Sequence, residues 1–354
     1  MNTIYHDGHL LVQYNPIYAA QLEDTTKTAT NTPDDNITRL KNANFGFKKV
    51  EILNGNIGYI NLNKCWAGKE HGLETIKAAL KFVANSNAII IDVRENGGGS
   101  QETVTLIIGY FLNKATHIES FYDRSANSTT EYWTTIDSSF TELINMPLYI
   151  LTSNKSFSCA EMLAYDLQAL KRATIIGEVT GGGAHGEYEA SASNGFVLHI
   201  PYWRGINPIT KTNWEGVGVK PDIETSADNA LEVAEMHIVE SLVSKTKDSL
   251  DLFNLKWELD LLKAINHPIV IDTITLKKFA GVYGERVFTF EKGKLFYQRT
   301  GKPKFELEPM TPTTMKGKGN NYFIIEFVEN KQGEITKVIA YYQDNRIETS
   351  IRNK

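Results

Sequence analysis

Cysteine is scarce in this chain of 354 residues, which has only Cys65 and Cys159. Two cysteines cannot form a disulfide framework, so a small disulfide-stapled scaffold is excluded, and the cellular compartment stays open. No apolar run approaches the roughly 18–20 residues that span a bilayer, and residues 1–15 lack the pattern of a signal peptide. Stable membrane insertion is therefore not expected.

Concentrated positive charge is also missing. The chain has 37 Lys and Arg against 42 Asp and Glu, a net charge of −5, with no basic run and no interleaving of Arg with aromatic residues. Nucleic acid is therefore not an expected partner. The HExxH, CxxC and Gly-Lys-Ser/Thr motifs of metal and phosphate sites do not occur either. We expect neither a metal nor a cofactor.

The charge that is present is divided unevenly along the chain. Residues 268–354 carry 15 Lys and Arg against 10 Asp and Glu, so their net charge is +5 and that of residues 1–267 is −10. This shift coincides with the end of a helical pattern at His267-Pro268. The sequence therefore predicts an N-terminal segment, 1–50, a main domain, 51–265, and a C-terminal domain, 268–354.

Strands and helices alternate through the main domain. The apolar run AIIIDV at 88–93 predicts a strand that is buried on both faces. The hydrophobic periodicity predicts further strands at 57–62, 148–151 and 174–176, and helices at 72–84, 102–112, 158–170, 227–243 and 250–264. This alternation indicates a layered α/β core. After Pro268, short alternating runs predict five to eight antiparallel strands in a small sandwich or barrel.

A glycine-rich turn, Gly97-Gly98-Gly99, follows the apolar strand. Consecutive backbone N–H groups in such a turn can bind a developing oxyanion. A tight turn that needs positive φ angles explains the same glycines more simply. The turn alone therefore favours a structural role.

Ser158 lies at the start of a predicted helix, in SFSCAE. The positive end of the helix dipole suits a nucleophile, while Ser158-x-x-Glu161 is also the pattern of a capping box, and the two interpretations are compatible. A nucleophilic serine needs a base, most often histidine. The chain has eight histidines, and their spacing does not choose among them.

Five motifs occur in an order typical of one peptidase family: Asp7-Gly-His9, IIIDVRENGGG, SFSCAE, ATIIGEVTGGG and NWEGVGVKPD. In combination they resemble the tail-specific, or C-terminal processing, serine peptidases. The branch they resemble most contains the tricorn protease core and the interphotoreceptor retinoid-binding proteins. The resemblance runs from about His6 to Glu224 and implies a ClpP/crotonase-like ββα superhelix. The region 268–354 resembles small β domains appended to envelope hydrolases, with docking, self-association or capping as possible roles.

The resemblance implies that Ser158 is the nucleophile. The N–H of Cys159 and that of Gly98 or Gly99 then form the oxyanion hole. Cys159 itself is expected to be a buried packing residue rather than a nucleophile.

The same resemblance implies that His9 is the base and that Glu215 orients it. His185, on a glycine-rich loop, is the alternative base. One branch of the family uses a lysine instead, but this chain has no lysine between Arg172 and Lys211. The tricorn core has a hydroxyl-bearing residue where this chain has Gly8, so Glu215 must act on His9 directly or through water.

As a whole, the resemblance implies a serine-type endopeptidase that cleaves unfolded proteins or peptides through an acyl-enzyme. It implies a bacterial periplasmic, outer-envelope or secreted location, with the cytoplasm as the alternative, and permits a homo-oligomer. The family's PDZ domain and upstream helical bundle are expected to be missing here. The alternative is therefore a catalytically degenerate relative that binds a hydrophobic small molecule or peptide. An acyl-CoA enzyme of the crotonase group would share only the fold.

Overall fold

The structure, a computed structural model, describes residues 7–23 and 33–353, excluding the side chains of residues 33–36 and 138. His6, where the family resemblance begins, lies outside the described residues. The chain divides into two compact units, Met1–Ala234 and Glu235–Lys354. This division falls earlier than Pro268, and the sequence-based domain boundaries stay predictions.

The elements of the first unit follow one another along the chain as two β-sheets with helices between their strands. The strands are β1 (Leu11–Tyr14), β2 (Phe47–Leu53), β3 (Ile57–Leu62), β4 (Ala88–Asp92), β5 (His117–Asp123), β6 (Ser128–Trp133), β7 (Leu148–Thr152), β8 (Thr174–Gly177), β9 (His185–Ala192), β10 (Phe196–Ile206) and β11 (Ile223–Glu224). The helices are α1 (Pro16–Glu23), α2 (Pro33–Asn42), α3 (Leu73–Val83), α4 (Gln101–Gly109) and α5 (Cys159–Ala169), followed by α6 (Ala230–Lys245).

The main sheet has the strand order β11-β8-β7-β4-β3-β2, parallel except for the antiparallel pair β2 and β3. Every residue of β4 and β7 is buried, as the apolar runs predict for strands covered on both faces. Helix α3 packs on β2 and β3, and α5 packs on β8 and against α4. The predicted α/β core is confirmed.

A second, antiparallel sheet has the order β1-β10-β5-β6, and β9 also pairs with β10. None of its strands was predicted, because they alternate polar and apolar residues weakly and are largely half-exposed. Strand β1 lies in the segment that carries His9 and pairs with β10 from Leu11 opposite His199 to Tyr14 opposite Phe196. This pairing attaches the N-terminal segment to the sheet.

The second unit is an antiparallel β-barrel preceded by helices. Its elements are α7 (Ser249–Asn266), α8 (Thr273–Phe279), β12 (Gly281–Tyr283), β13 (Arg286–Glu291), β14 (Lys294–Arg299), β15 (Lys304–Pro309), β16 (Thr314–Gly317), β17 (Asn320–Glu329), β18 (Ile335–Tyr342) and β19 (Ile347–Ile351). Neighbouring strands follow chain order, and a bridge between Tyr283 and Arg352 joins the two ends of the sheet. The predicted all-β domain is confirmed, at the upper limit of the predicted strand number.

Helix α7 packs Trp257, Leu261 and Ala264 against Met310 and Ile324 of the barrel. It therefore shares a core with the strands, although the sequence places it in the preceding domain. Within the described residues, no helix is both long enough and apolar enough to cross a membrane.

Candidate active site

Three segments meet at one edge of the main sheet. Strand β4 leads into the Gly97–Gly99 turn, β7 into residues 153–158, and β8 into residues 178–184. Because these strands are parallel, their carboxyl ends lie at the same edge, where open α/β sheets bind ligands. A pocket of about 360 Å³ lies there. Its lining includes Ser158, Cys159, His9, His185, Gly99, Phe157, Trp203 and Trp214.

Ser158 stands in an unusual backbone conformation, with φ 55° and ψ −119°. A non-glycine residue in such a sparsely populated region costs on the order of 1–3 kcal/mol and is typical of functional sites. The neighbouring Gly98 has φ +103°, and a Cβ on it would lie 2.9 Å from the Ser158 Cβ. Gly98 is therefore required both for its own backbone angle and for the close approach of the serine.

The carboxylate of Glu161 holds this turn in place. It accepts hydrogen bonds from the Ser158 N–H at 2.8 Å, the Thr180 hydroxyl at 2.5 Å, and the N–H groups of Gly182 and Gly183 at 2.7 and 2.8 Å. Burial raises the pKa of Glu161, although these hydrogen bonds favour its charged form. Glu161 thus fixes the helix start while Ser158 faces the pocket, so the capping and nucleophile interpretations hold together.

Ser156, two residues earlier, has a different environment. It is fully buried, its hydroxyl donates to the Val93 carbonyl at 2.8 Å, and it accepts the Ser153 N–H at 3.0 Å. These contacts tie the segment to the end of β4. Ser156 is therefore a structural residue and a natural control for Ser158.

The candidate oxyanion donors differ in their availability. The Gly98 N–H donates to Asn96 Oδ1 at 2.8 Å, whereas the N–H groups of Gly99 and Cys159 donate to no acceptor in the described part of the chain. Both of these residues line the pocket. The Cys159 thiol donates to the Gly99 carbonyl at 3.0 Å, and burial raises its pKa, which disfavours a reactive thiolate. Of the two alternatives from sequence, the geometry favours Gly99 over Gly98, and the oxyanion role itself stays a prediction.

His9 lines the same pocket with its ring 4.8 Å from that of Phe157. A Cβ on Gly8 or Gly183 would lie 2.9 or 2.2 Å from the Phe157 ring, so this packing needs both glycines. Burial lowers the pKa of His9, and the nearby carboxylates of Glu187, Glu215 and Asp7 oppose that effect. Neutral imidazole, the form that accepts a proton, is thus favoured.

His9 and Glu215 each present one unpaired atom. Within the described residues, His9 Nδ1 and Glu215 Oε1 are buried without a hydrogen-bond partner. The other oxygen of Glu215 accepts the N–H groups of Ala184 and His185 at 2.6 and 3.1 Å. No hydroxyl is available at Gly8 to join the two orphan atoms. The relay from Glu215 to His9 therefore stays a prediction.

His185, the alternative base, is paired with Asp7. Its Nδ1 lies 2.6 Å from Asp7 Oδ2 and 3.6 Å from Glu215 Oε2. The other oxygen of Asp7, Oδ1, accepts a hydrogen bond from the backbone N–H of His9 at 2.9 Å, so Asp7 contacts both histidines. The ligand atoms of Asp7, His185 and Glu215 lie within 4.8 Å of one another, close enough to share a metal ion. Asp7 Oδ2 and His185 Nδ1 already bond to each other, which favours a hydrogen-bonded pair over a metal site.

The sequence predicted Ser158, His9, His185 and Glu215 as site residues. In the structure the first three line one pocket, and Glu215 contacts the backbone of Ala184 and His185 at its wall. The sequence did not assign roles to the side chains of Asp7 and Asn96. Both residues lie inside motifs that carry the family resemblance, Asp7-Gly-His9 and IIIDVRENGGG. That position was the only sign in the sequence that they could contribute to the site. What each bonds to depends on segments far away in sequence.

Comparisons with known proteins show what the domain that carries this pocket is similar to. Residues 56–225 match the profile of peptidase family S41. The chain is 29% identical over 168 residues to the chloroplastic carboxyl-terminal-processing peptidase 2 of Arabidopsis thaliana, covering 47% of this chain and 31% of the relative. It is 28% identical over 174 residues to the tricorn protease of Thermoplasma volcanium, covering 49% of this chain and 15% of the relative.

Among solved structures, a photosystem II D1 C-terminal processing protease is similar, with a TM-score of 0.41 and 21% identity, covering 49% of this chain and 43% of that one. The chain thus spans less than half the length of these relatives. The profile match covers the glycine turn, the serine and the segment of Glu215. Over residues 56–225 the chain therefore matches peptidase family S41, and in this region it is similar to C-terminal processing peptidases.

Proposed function

We propose that this chain is a serine peptidase that hydrolyses peptide bonds of unfolded proteins or peptides through an acyl-enzyme at Ser158. One observation carries the proposal: a serine in a strained backbone conformation shares a pocket with a half-buried histidine and with two backbone N–H groups that have no acceptor among the described residues. These are the parts that acyl transfer requires.

In the proposed reaction, Ser158 Oγ attacks the peptide carbonyl carbon while His9 takes the hydroxyl proton. The N–H groups of Gly99 and Cys159 donate to the oxyanion of the tetrahedral intermediate. Collapse of the intermediate breaks the C–N bond, and His9 returns the proton to the leaving amine. Water, activated in turn by His9, then hydrolyses the acyl-enzyme and regenerates the serine.

Glu215 is proposed to orient His9. Its Oε1 and His9 Nδ1 are both buried with no hydrogen-bond partner among the described residues, and its negative charge favours the imidazolium that forms during the reaction. Asp7 is proposed to help by fixing the backbone of His9 and the side chain of His185.

The pocket suits an apolar side chain of a peptide substrate. Aromatic residues form much of its lining, and Gly186 leaves room for Trp203, whose ring atoms would lie as close as 1.8 Å to a Cβ there. Unfolded chains expose such side chains, whereas folded proteins bury them. A bacterial envelope or secreted location, the crotonase-like superhelix and a homo-oligomer remain parts of the proposal that rest on the family resemblance.

A fluorophosphonate probe followed by peptide mapping tests the proposal directly. We expect a single phosphonylated residue, Ser158, and loss of labelling in Ser158→Ala. The matched control Ser156→Ala should still be labelled at Ser158. Absence of labelling on folded wild-type protein, together with no cleavage of unfolded casein, would instead favour the degenerate, binding-only relative.

A further inference from the structure

Two carboxyl groups lie fully buried outside the pocket, and the proposed reaction does not use them. Glu119, on β5, and Asp166, on α5, each have 0% exposure. They lie within hydrogen-bonding reach of each other. Within the described residues, neither forms an ion pair with Lys, Arg or His. Two uncompensated negative charges at this depth would be strongly unfavourable.

The hydrogen bonds around the pair leave one oxygen on each side without a donor. Asn207 Nδ2 donates to Asp166 Oδ1 at 2.8 Å, and the Ser120 N–H donates to Glu119 Oε1 at 3.3 Å. Glu119 Oε2 and Asp166 Oδ2 are buried with no partner in the described structure. Ionised carboxylates only accept, so two such oxygens facing each other need a proton between them.

Among the described residues, no cation acts on either carboxyl. Of the strands that pair with β5, β6 carries Glu131, and β10 carries His199, which lies 3.1 Å from Glu187, and Arg204, which lies over the Tyr122 ring. The Ile206 N–H also donates to Glu119, and the Cys159 thiol, itself neutral, faces Asp166. Of the elements packed on α5, β8 has no titratable side chain, and α4 has only Glu102, which lies beside Gly68. Burial raises the pKa of both carboxyls, that of Glu119 to about 8.

The pair lies where three site-bearing elements meet. Helix α5 begins at the residue after Ser158, and β5 carries Phe121, which lines the pocket. Asn207 Nδ2 bonds the Ile118 carbonyl of β5 as well as Asp166. The loop that follows Asn207 leads to Glu215. A change at the pair would therefore move the serine relative to its pocket and its orienting carboxylate.

We propose that Glu119 and Asp166 share one proton, and that this carboxylic acid–carboxylate pair positions α5, and with it Ser158, against β5 and the loop of Glu215. The two groups are positioning residues, and the proton is the switch: its loss in alkaline solution leaves two like charges that push α5 from β5. The positioning role rests on the proposed function of Ser158, whereas the shared proton does not.

The shared proton is tested by stability as a function of pH. The native state keeps a proton that the unfolded chain releases near pH 4–4.5. Native protein therefore binds more protons than unfolded protein up to about pH 8, and the folding equilibrium constant falls by as much as about tenfold per pH unit over that range. In Glu119→Gln the amide donates to Asp166 permanently, so this contribution to the slope should disappear. Glu70→Gln, at an exposed carboxylate, is the control and should keep the wild-type slope.

Infrared spectroscopy on the wild-type protein gives a readout that does not depend on any variant folding. We expect the C=O stretch of one buried carboxylic acid at pH 7, and its loss as the pH passes about 8. The band should be missing in a Glu119→Gln/Asp166→Asn protein. No such band in the wild type, or equal slopes for wild type and Glu119→Gln, would overturn the shared proton.

Positioning is tested by the rate of fluorophosphonate labelling at Ser158. Wild-type labelling should fall severalfold above about pH 8, and Glu119→Gln should keep its rate to higher pH, which a purely structural role would not produce. The same alkaline fall in Glu119→Gln would refute the positioning role. Failure of the proposed function looks different: wild-type protein would show the infrared band and the stability slope without labelling at any pH.

Discussion

The two compact units differ in where their residues with positive φ lie and in how their buried charged side chains are paired. In the barrel, the non-glycine residues with positive φ are Lys292 and Asn345, both in connections between neighbouring strands. In the first unit, Ser158 has positive φ at a buried helix start, held by the Glu161 carboxylate. Turns accommodate such angles next to solvent at little cost, whereas a strained residue at a pocket is retained for what its side chain does there.

Buried charge shows the same contrast. The barrel buries Arg286 but pairs it with Glu348 and adds hydrogen bonds to Ser350 and Tyr342. The first unit buries Glu119 and Asp166 beside each other, with no cation paired to them in the part of the chain that the structure describes. The barrel thus pairs its buried Arg286 with an opposite charge, while these two carboxyls of the first unit lie beside a like group. Changes in the first unit should therefore alter chemistry more than stability, and changes in the barrel the reverse.

The largest effect is expected at the serine pair. Ser158→Ala should lower kcat/KM on a peptide substrate by on the order of 10⁴-fold or more, because the residual rate comes only from binding and oxyanion donors. Ser156→Ala should instead lower the free energy of unfolding by about 1–2 kcal/mol through its lost buried hydrogen bonds, and stay active. Steady-state kinetics and denaturant melts of the two variants measure this. Equal losses of activity in the two variants would contradict the assignment of Ser158 as the nucleophile and Ser156 as a structural residue.

His9→Ala should lower kcat/KM by about 10³-fold, because the proton of the serine then has no acceptor. Burial lowers the pKa of His9, so the wild-type rate should rise with pH through a value below 6.5 and then stay level until the alkaline fall that the carboxyl pair produces above about pH 8. His185→Ala should lose no more than about tenfold, through looser packing of Asp7. A larger loss in His185→Ala than in His9→Ala would make His185 the base.

Gly98→Ala and Gly293→Ala compare glycines with positive φ in the two units. The new Cβ at position 98 would lie 2.9 Å from Ser158 Cβ, whereas nothing lies within 4 Å of one at position 293. We expect roughly 10²-fold loss of activity in Gly98→Ala, because the nucleophile is displaced. Gly293→Ala should cost about 1–2 kcal/mol of stability from its backbone angle alone. Full labelling of Gly98→Ala would show that the serine tolerates the shift.

The smallest effect on chemistry is expected in the barrel. Arg286→Met removes a side chain that is 3% exposed and leaves Glu348 without its main partner. Because Glu348 is partly exposed, we expect a loss of about 2 kcal/mol in the free energy of unfolding rather than the full cost of an isolated buried charge. The labelling rate of Ser158 should stay within about twofold. A lower rate in protein that is fully folded would couple the barrel to the site.

Much of the architecture could be predicted because it depends on local pattern. The runs at Ile57–Leu62 and Ala88–Asp92 form buried parallel strands, and the helix after Ser158 begins within one residue of its predicted start. The second sheet could not be predicted in the same way, because β9 and β10 gain their stability from pairing with each other rather than from a strong alternation.

The sequence by itself determined which residues could perform acyl transfer, since the motif order carries the serine, the histidines and the glycine turn. Only the tertiary structure decided which groups are free to act. The Gly98 N–H already donates to Asn96, and His185 Nδ1 is already bonded to Asp7. The carboxyls of Glu119 and Asp166 meet between β5 and α5. Hydrogen-bond partners and burial arise from segments far apart in the chain, and they fix the availability and proton affinity of a group that its residue type only makes possible.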